Sequence, residues 1–519
     1  MVFFAFLGAL GSLIFQKLTK NEALGLLCGV LVAAVVQSEA VQIFYDYIRL
    51  MDLFVFAAVY FFLCYFGQGG ERAALIGTAF ATLAALCKQS SGLVFLVFCF
   101  AAVQFFSLIE GRYRAALSIF LRMLGVVSAV LAPFACYLVA KGALGACLRS
   151  CFLSSLGAKG GGGVLSLLFG WIGRSATALL WGAFFLLAVF LGILVGERIR
   201  RRSALPWQGI PLRPAFVGAV LVMLTVLPFL LPVWGYLLSL GPHTTLQYAI
   251  FLCCTLLFAA LGIYGVRGRE RALFFSPAYR SCLFLSGTVV ALGFSVGMSG
   301  GLVRSQLALG YALVPVILFR LAARHRRTVG CVLALSAMLW QTAGAFALKA
   351  EATYNWWGLR TGSYHEQKYT CELPLLRGIR MSEVYARTYN EMLCAVQSAT
   401  GEGEPIFVFP HMPVLYLALD RPRASATALQ WFDVASDGAV LADIERLKNR
   451  PPRAMVLCLI DGYVIQSHER AFRGGERSGL SQMQDFLWEF AADTGYECAL
   501  RHTLPDGYEI SVWILPDPG

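Results

Sequence analysis

QSEAVQIFYDYIRLMDLFVF (residues 37–56) gathers Glu39, Asp46, Arg49 and Asp52 where a polar loop gives way to a long apolar run. Downstream come a glycine-bearing turn, a second apolar run and LCKQSSGLVF (residues 86–95), which carries Lys88. Two successive runs, each near the length of a bilayer-spanning helix, form a hairpin that returns the chain to the face it left. The four charges and Lys88 are therefore expected at one face of a membrane, and most other charges of the hydrophobic part at the opposite face.

Composition agrees with that reading. The chain has 519 residues, of which 58% are hydrophobic and 14% charged, and its mean hydropathy is +0.68. Apolar runs of about 15 to 25 residues recur as far as Ala350, each close to the roughly 20 that a spanning helix requires. From Glu351 the polar residues return. This divides the chain into a membrane domain, residues 1–350, and a water-facing domain, residues 351–519. The net charge of +12 sits largely in short loops between apolar runs, which marks topology rather than nucleic-acid binding. The cysteines are scattered, several inside apolar runs, and no C-x-x-C pair has zinc-site spacing.

About twelve spans are expected on length grounds, centred near residues 9, 30, 60, 80, 100, 128, 186, 226, 256, 289, 314 and 339. Alternate connections carry Lys17 and Lys20, then Arg72, Arg112 and Arg114, Arg198 to Arg202, Arg267 to Arg271, and Arg324 to Arg327. The positive-inside rule places this set in the cytoplasm. Met1 and the domain after Glu351 then lie outside. The first run, residues 2–15, makes only about 21 Å of helix against a core of about 30 Å, which suggests either a further segment upstream or a true start in a tilted or thinned environment. The connection over residues 141–175 holds GAKGGGG, which lacks the phosphate-loop order and reads as a hinge. Trp171 and Arg174 after it suit a helix lying on the leaflet.

The terminal domain reads as α/β. A helix is expected over residues 382–400 with a stop at Gly401, a buried strand at IFVF (406–409), and a helix capped by Asp437 with Leu441, Ile444 and Leu447 on one face. A strand over 454–460, a helix over 480–493 ending at Gly495, and a hairpin turning at Pro505-Asp506-Gly507 complete it. Cys371, Cys394, Cys458 and Cys498 could pair in an oxidising compartment, in an order that sequence does not assign.

Among residues able to do chemistry, Asp52 has two readings: the N-cap of a span, or a carboxylate at the rim of a polar cavity, serving as base or metal ligand. Asp46 and Glu39 are looser acids of the same loop, equally suited to plain solvation. Lys88 and Arg304 either snorkel to the interface or sit beside an anionic headgroup. His243, in SLGPHTT, reads as an exposed loop histidine or a binding group. His365-Glu366 lacks the second histidine of a zincin helix.

YIRLMDLFVF, the later CKQSSGL and the basic loops resemble the polyprenyl-phosphate-dependent membrane glycosyltransferases of the GT-C fold, in the branch of the protein O-mannosyltransferases and the aminoarabinose transferase. LRGIRMSEVYA and FPHMPVLYLALDRPRAS resemble the soluble tail of bacterial members. The family's R-x-x-D step corresponds here to Arg49 and Asp52, and its K-x-x-G-L-like step to Lys88 through Leu93, with one residue extra. That resemblance implies a polytopic α-helical protein of the inner (plasma) membrane with an outer C-terminal α/β domain. It implies transfer of a sugar from a polyprenyl-phosphate-linked donor to a glycan, lipid or protein acceptor. It makes Asp52, Asp46 and Glu39 the candidate catalytic acids, Lys88, Arg49, Arg304 and His243 the candidate substrate-binding residues, and a divalent metal ion a candidate cofactor. The family's main carboxylate lies after a first span that has no counterpart here, so a member lacking that span and loop is expected. A non-catalytic assembly protein on the same fold and a lipid or sugar transporter are the rival readings; no internal repeat of the transporter kind is evident.

Overall fold

The computed structural model describes residues 2–38, 47–148, 242–267, 276–297, 303–323 and 362–516 (less 373, 433, 460–461 and 506). It also describes 179, 339, 342–343, 346, 349–350, 355–356 and 359–360. The expected spans near 186 and 226 lie outside the described residues, and most of the one near 339 does. The chain divides into two compact units: Met1–Cys136 with Trp171–Ala347, and Tyr137–Gly170 with Leu348–Gly519.

The first unit is helical. Its described helices are α1 (Val2–Thr19), α2 (Glu22–Gln37), α3 (Tyr47–Gln68), α4 (Glu71–Cys87), α5 (Gln89–Ile109), α6 (Tyr113–Ala140), α7 (Pro242–Arg267), α8 (Pro277–Gly297) and α9 (Ala308–Ala323). Four described stretches are long and apolar enough to cross a membrane: Tyr47–Gln68, Gln89–Ile109, Tyr113–Ala140 and Pro277–Ser295. This is the firm part of the twelve-span expectation. Near residues 9, 30, 256 and 314 the described apolar stretches are shorter: Phe3–Thr19, Glu22–Gln37, Gln247–Ile263 and Ser305–Ile317. Most of α6 is uncovered, with Leu117, Leu121 and Tyr137 exposed, as suits a helix whose solvent is lipid.

Short joints set the packing. Asn21 accepts from the Leu24 N–H at 2.9 Å and starts α2, folding it back on α1. The two approach at backbone distance, since a Cβ at Gly29 would stand 2.3 Å from the Gly8 carbonyl oxygen; small residues at this spacing are how apolar helices pack without bulky knobs. A single extended residue, Lys88, joins α4 to α5. Phenylalanines then lock α3, α5 and α8: Phe62 and Phe66 meet Phe284, and Phe66 meets Phe106, at centroid distances of 5.4, 5.2 and 5.1 Å. Where α5 ends and α8 begins, Arg280 pairs with Glu110, and Arg112 approaches the same carboxylate at 3.4 Å.

In the second unit, strands β1 (Ile406–Phe409), β2 (Ala454–Leu459), β3 (Glu497–Thr503) and β4 (Glu509–Ile514) form one sheet in the order β1-β2-β4-β3. β1 and β2 are parallel; the other pairs are antiparallel, from Ala454↔Ile514 to Leu459↔Glu509 between β2 and β4. Its helices are α10 (Glu383–Ala399), α11 (Asp437–Asn449), α12 (Gly462–Arg473) and α13 (Gly479–Thr494). His502 of β3 reaches Glu391 of α10 at 2.6 Å, while neighbouring Arg501 lies over the Trp488 ring of α13. Adjacent strand residues point to opposite faces, so α10 and α13 cover opposite sides of the sheet. Gly495, at φ +81°, closes α13, and Gly507, at φ +85°, turns the expected hairpin.

Two expectations here are corrected. Ser436, not Asp437, is the N-cap of α11; the Asp437 carboxylate instead accepts from Gly479 N–H at 2.7 Å and pairs with Arg473, tying α11 to α12 and α13. The buried face of α11 is Val440, Ile444 and Leu447, and Leu441 is exposed. Cys371 and Cys458 are buried, Cys394 and Cys498 exposed, and no disulfide joins them.

Candidate functional site

Consecutive helices of the first unit run in alternating directions, so their ends fall into two sets. The end formed by the last turns of α2, α4 and α8 and the first turns of α1, α3, α5, α7 and α9 holds the candidate site. The opposite end carries Lys17, Glu110, Arg112 and Arg280. Contacts confirm the alternation: Arg49 lies over the Phe4 ring at 5.9 Å, and Tyr279, starting α8, donates to the Leu261 carbonyl near the close of α7.

Asp52 lies beyond the first turn of α3 and is 1% exposed; Arg49, one turn before it, is 2% exposed. The N-cap reading of Asp52 therefore gives way, because a cap stands at a helix terminus. Residues three apart share a helix side, so acid and base enter the bundle together. Lys88 is half-buried at the α4–α5 joint. There the Gly92 N–H donates to the Lys88 carbonyl at 2.8 Å. A Cβ at Gly92 would meet the Ala84 carbonyl oxygen at 2.3 Å, so this tight return requires glycine.

Neutral polar groups that the sequence reading passed over fill the same end. Ser295, at the close of α8, donates to the Ser91 hydroxyl in the first turn of α5, at 2.7 Å, both buried. Ser305 and Gln306 form a buried 3-10 turn (Ser305–Leu307) leading into α9, and Gln247 is buried in α7. Close approaches tie these together: a Cβ at Gly293 would meet the Phe251 ring of α7 at 2.5 Å and Leu307 at 3.4 Å. The available signal was a hydroxyl or amide inside an apolar run, as in GFSVG and VRSQLALG, weak because such residues also satisfy themselves along a helix.

Of the other candidates, Arg304 is half-buried in the turn before Ser305. His243 is the second residue of α7, which corrects the loop placement: Pro242 opens a helix readily because its missing N–H is not needed there. Glu39 and Asp46 lie outside the described residues. Among the described residues, no three His, Cys, Asp or Glu side chains gather to hold a metal ion.

The second unit holds a polar cleft of about 520 Å³ lined by Gln466, Glu469, Arg477, Ser481, Gln484 and Asp485. Its charges are committed internally: Glu469 accepts from both the N–H and the hydroxyl of Ser478 at 2.7 Å, and Arg477 pairs with Asp485.

No family model matches the chain, and no curated protein is significantly similar to it.

Proposed function

We propose that this protein is a membrane glycosyltransferase that moves a sugar from a polyprenyl-phosphate donor to an acceptor at the Asp52 end of the bundle, on the outer face of the inner membrane. The burial of Arg49 and Asp52 together, at the end that also holds Lys88, carries this reading. An ionisable residue well inside an apolar bundle costs about 2.5–3.5 kcal/mol or more and marks function by default.

In the proposed reaction a carboxylate, Asp52 of this end or one of the sequence candidates Asp46 and Glu39, takes a proton from the acceptor. The acceptor attacks the anomeric carbon, the glycosidic C–O bond breaks, and the electron pair leaves with the lipid phosphate. The Lys88 ammonium, with Arg49 and Arg304 at the same end, balances the charge growing on that phosphate. His243 stands at the rim as a binding group.

Asp52→Asn and Lys88→Ala are expected to lower sugar transfer from polyprenyl-phosphate donors by about 10²-fold or more, with membrane insertion intact. Wild-type turnover in both variants would remove them from the site. Substrate flux across vesicles with no transfer in the parent protein would favour a transporter.

A further inference from the structure

Gln306 is 2% exposed, and among the described residues neither its amide nitrogen nor its amide oxygen has a hydrogen-bond partner. It lies in the Ser305–Leu307 turn, which packs against α2, α7, α8 and α9 at the site end. A neutral amide has two N–H donors and an accepting carbonyl, and a buried polar group without a partner is unfavourable. Leucine would fill the place without that penalty. The side chain is thus poorly explained as packing, and its turn packs against α8, the helix that carries Ser295.

We propose that Gln306 binds a hydroxyl of the transferred sugar, which rests on the reading of the site as a lipid-linked sugar transferase. An amide with both donor and acceptor unmet is complementary to a group that also donates and accepts. A sugar hydroxyl does both, whereas a phosphate at neutral pH chiefly accepts. Gln306 therefore selects the sugar, and the cationic groups take the phosphate. The amide is closed off by its surroundings, so the 3-10 turn yields when the hydroxyl enters; three-ten turns have poorer hydrogen-bond geometry than α-helix.

The test compares thermal stabilisation of the full chain in nanodiscs by polyprenyl phosphate alone with that by polyprenyl phosphate bearing a hexose, a pentose or an amino sugar. Wild type is expected to bind at least one sugar-bearing lipid about tenfold or more tightly than the bare phosphate. Gln306→Leu should lose this increment, keep its affinity for the bare phosphate, and melt at or above the wild-type temperature without ligand. An undiminished increment in Gln306→Leu, as when a buried water satisfies the amide, overturns the assignment, and so does a wild type that binds the bare phosphate with no increment for any sugar. A wild type that binds none of the lipids overturns the transferase reading itself. If Gln306→Leu does not fold, Gln306→Met, which keeps the length of the side chain and loses both the donors and the acceptor oxygen, takes its place with the same readout.

Discussion

Acidification should loosen the second unit at one place, the loop that follows β1. His411 is held there against the Trp431 ring, at 5.0 Å, and burial pushes its pKa down from 6.5 to about 4. Between those values the unfolded segment binds a proton that the folded one excludes, so stability falls as pH falls through the window. A shift of about 2.5 units at 1.36 kcal/mol each sets a ceiling of about 3 kcal/mol, with about 2 kcal/mol lost by pH 5 and little above pH 7. Hydrogen exchange on the intact protein reads this locally. The reporting amides are Val408, which donates to the Tyr416 hydroxyl at 2.9 Å, and Gln430, which donates to the Pro410 carbonyl at 3.0 Å. Corrected for intrinsic exchange rates, their opening free energy should drop by about 2 kcal/mol from pH 7 to pH 5 in wild type, and much less in His411→Phe. A second histidine, His468, stacks on Phe432 at 3.7 Å further along the same aromatic row. An equal pH response in His411→Phe would refute the reasoning and assign the effect to another group such as this one.

Two further outcomes follow from packing in the first unit. Gly29→Leu should separate α1 from α2, at a cost of about 1–3 kcal/mol or more, because even its Cβ would lie 2.3 Å from the Gly8 carbonyl oxygen; an unchanged denaturation midpoint in detergent would count against that crossing. Glu110→Gln leaves Arg280, 17% exposed at its side chain, without its countercharge, for a loss on the order of 3 kcal/mol. Glu110→Gln combined with Arg280→Leu should recover most of that in the same assay, and no recovery would show that the pair is not coupled.

Much of the second unit was legible because its signals are local. IFVF reads as a short buried strand, and all of it is buried. Pro505 and Gly507 fix the hairpin through backbone geometry alone, and Gly495 stops α13 by adopting a φ closed to most residues. In α11 the spacing did not choose a face. Val440 and Leu441 both precede Ile444 and Leu447 at helical intervals, and the choice fell to the packing of α11 against α13. Asp437 likewise looks like a cap in any list of residues, yet its carboxylate is drawn to Arg473 and Gly479, more than thirty residues away in the chain.

The sequence by itself determined the apolar runs, the charges at the rim of α3 and the lysine at the α4–α5 joint, because hydropathy and charge are properties of single residues. Only the tertiary structure decided that Arg49 and Asp52 go inside. It alone brought Ser91 to Ser295 across 204 positions and left the amide of Gln306 without a partner among the described residues. Hydroxyls and amides carry no charge to betray them, and whether one is satisfied depends on what the other helices set against it.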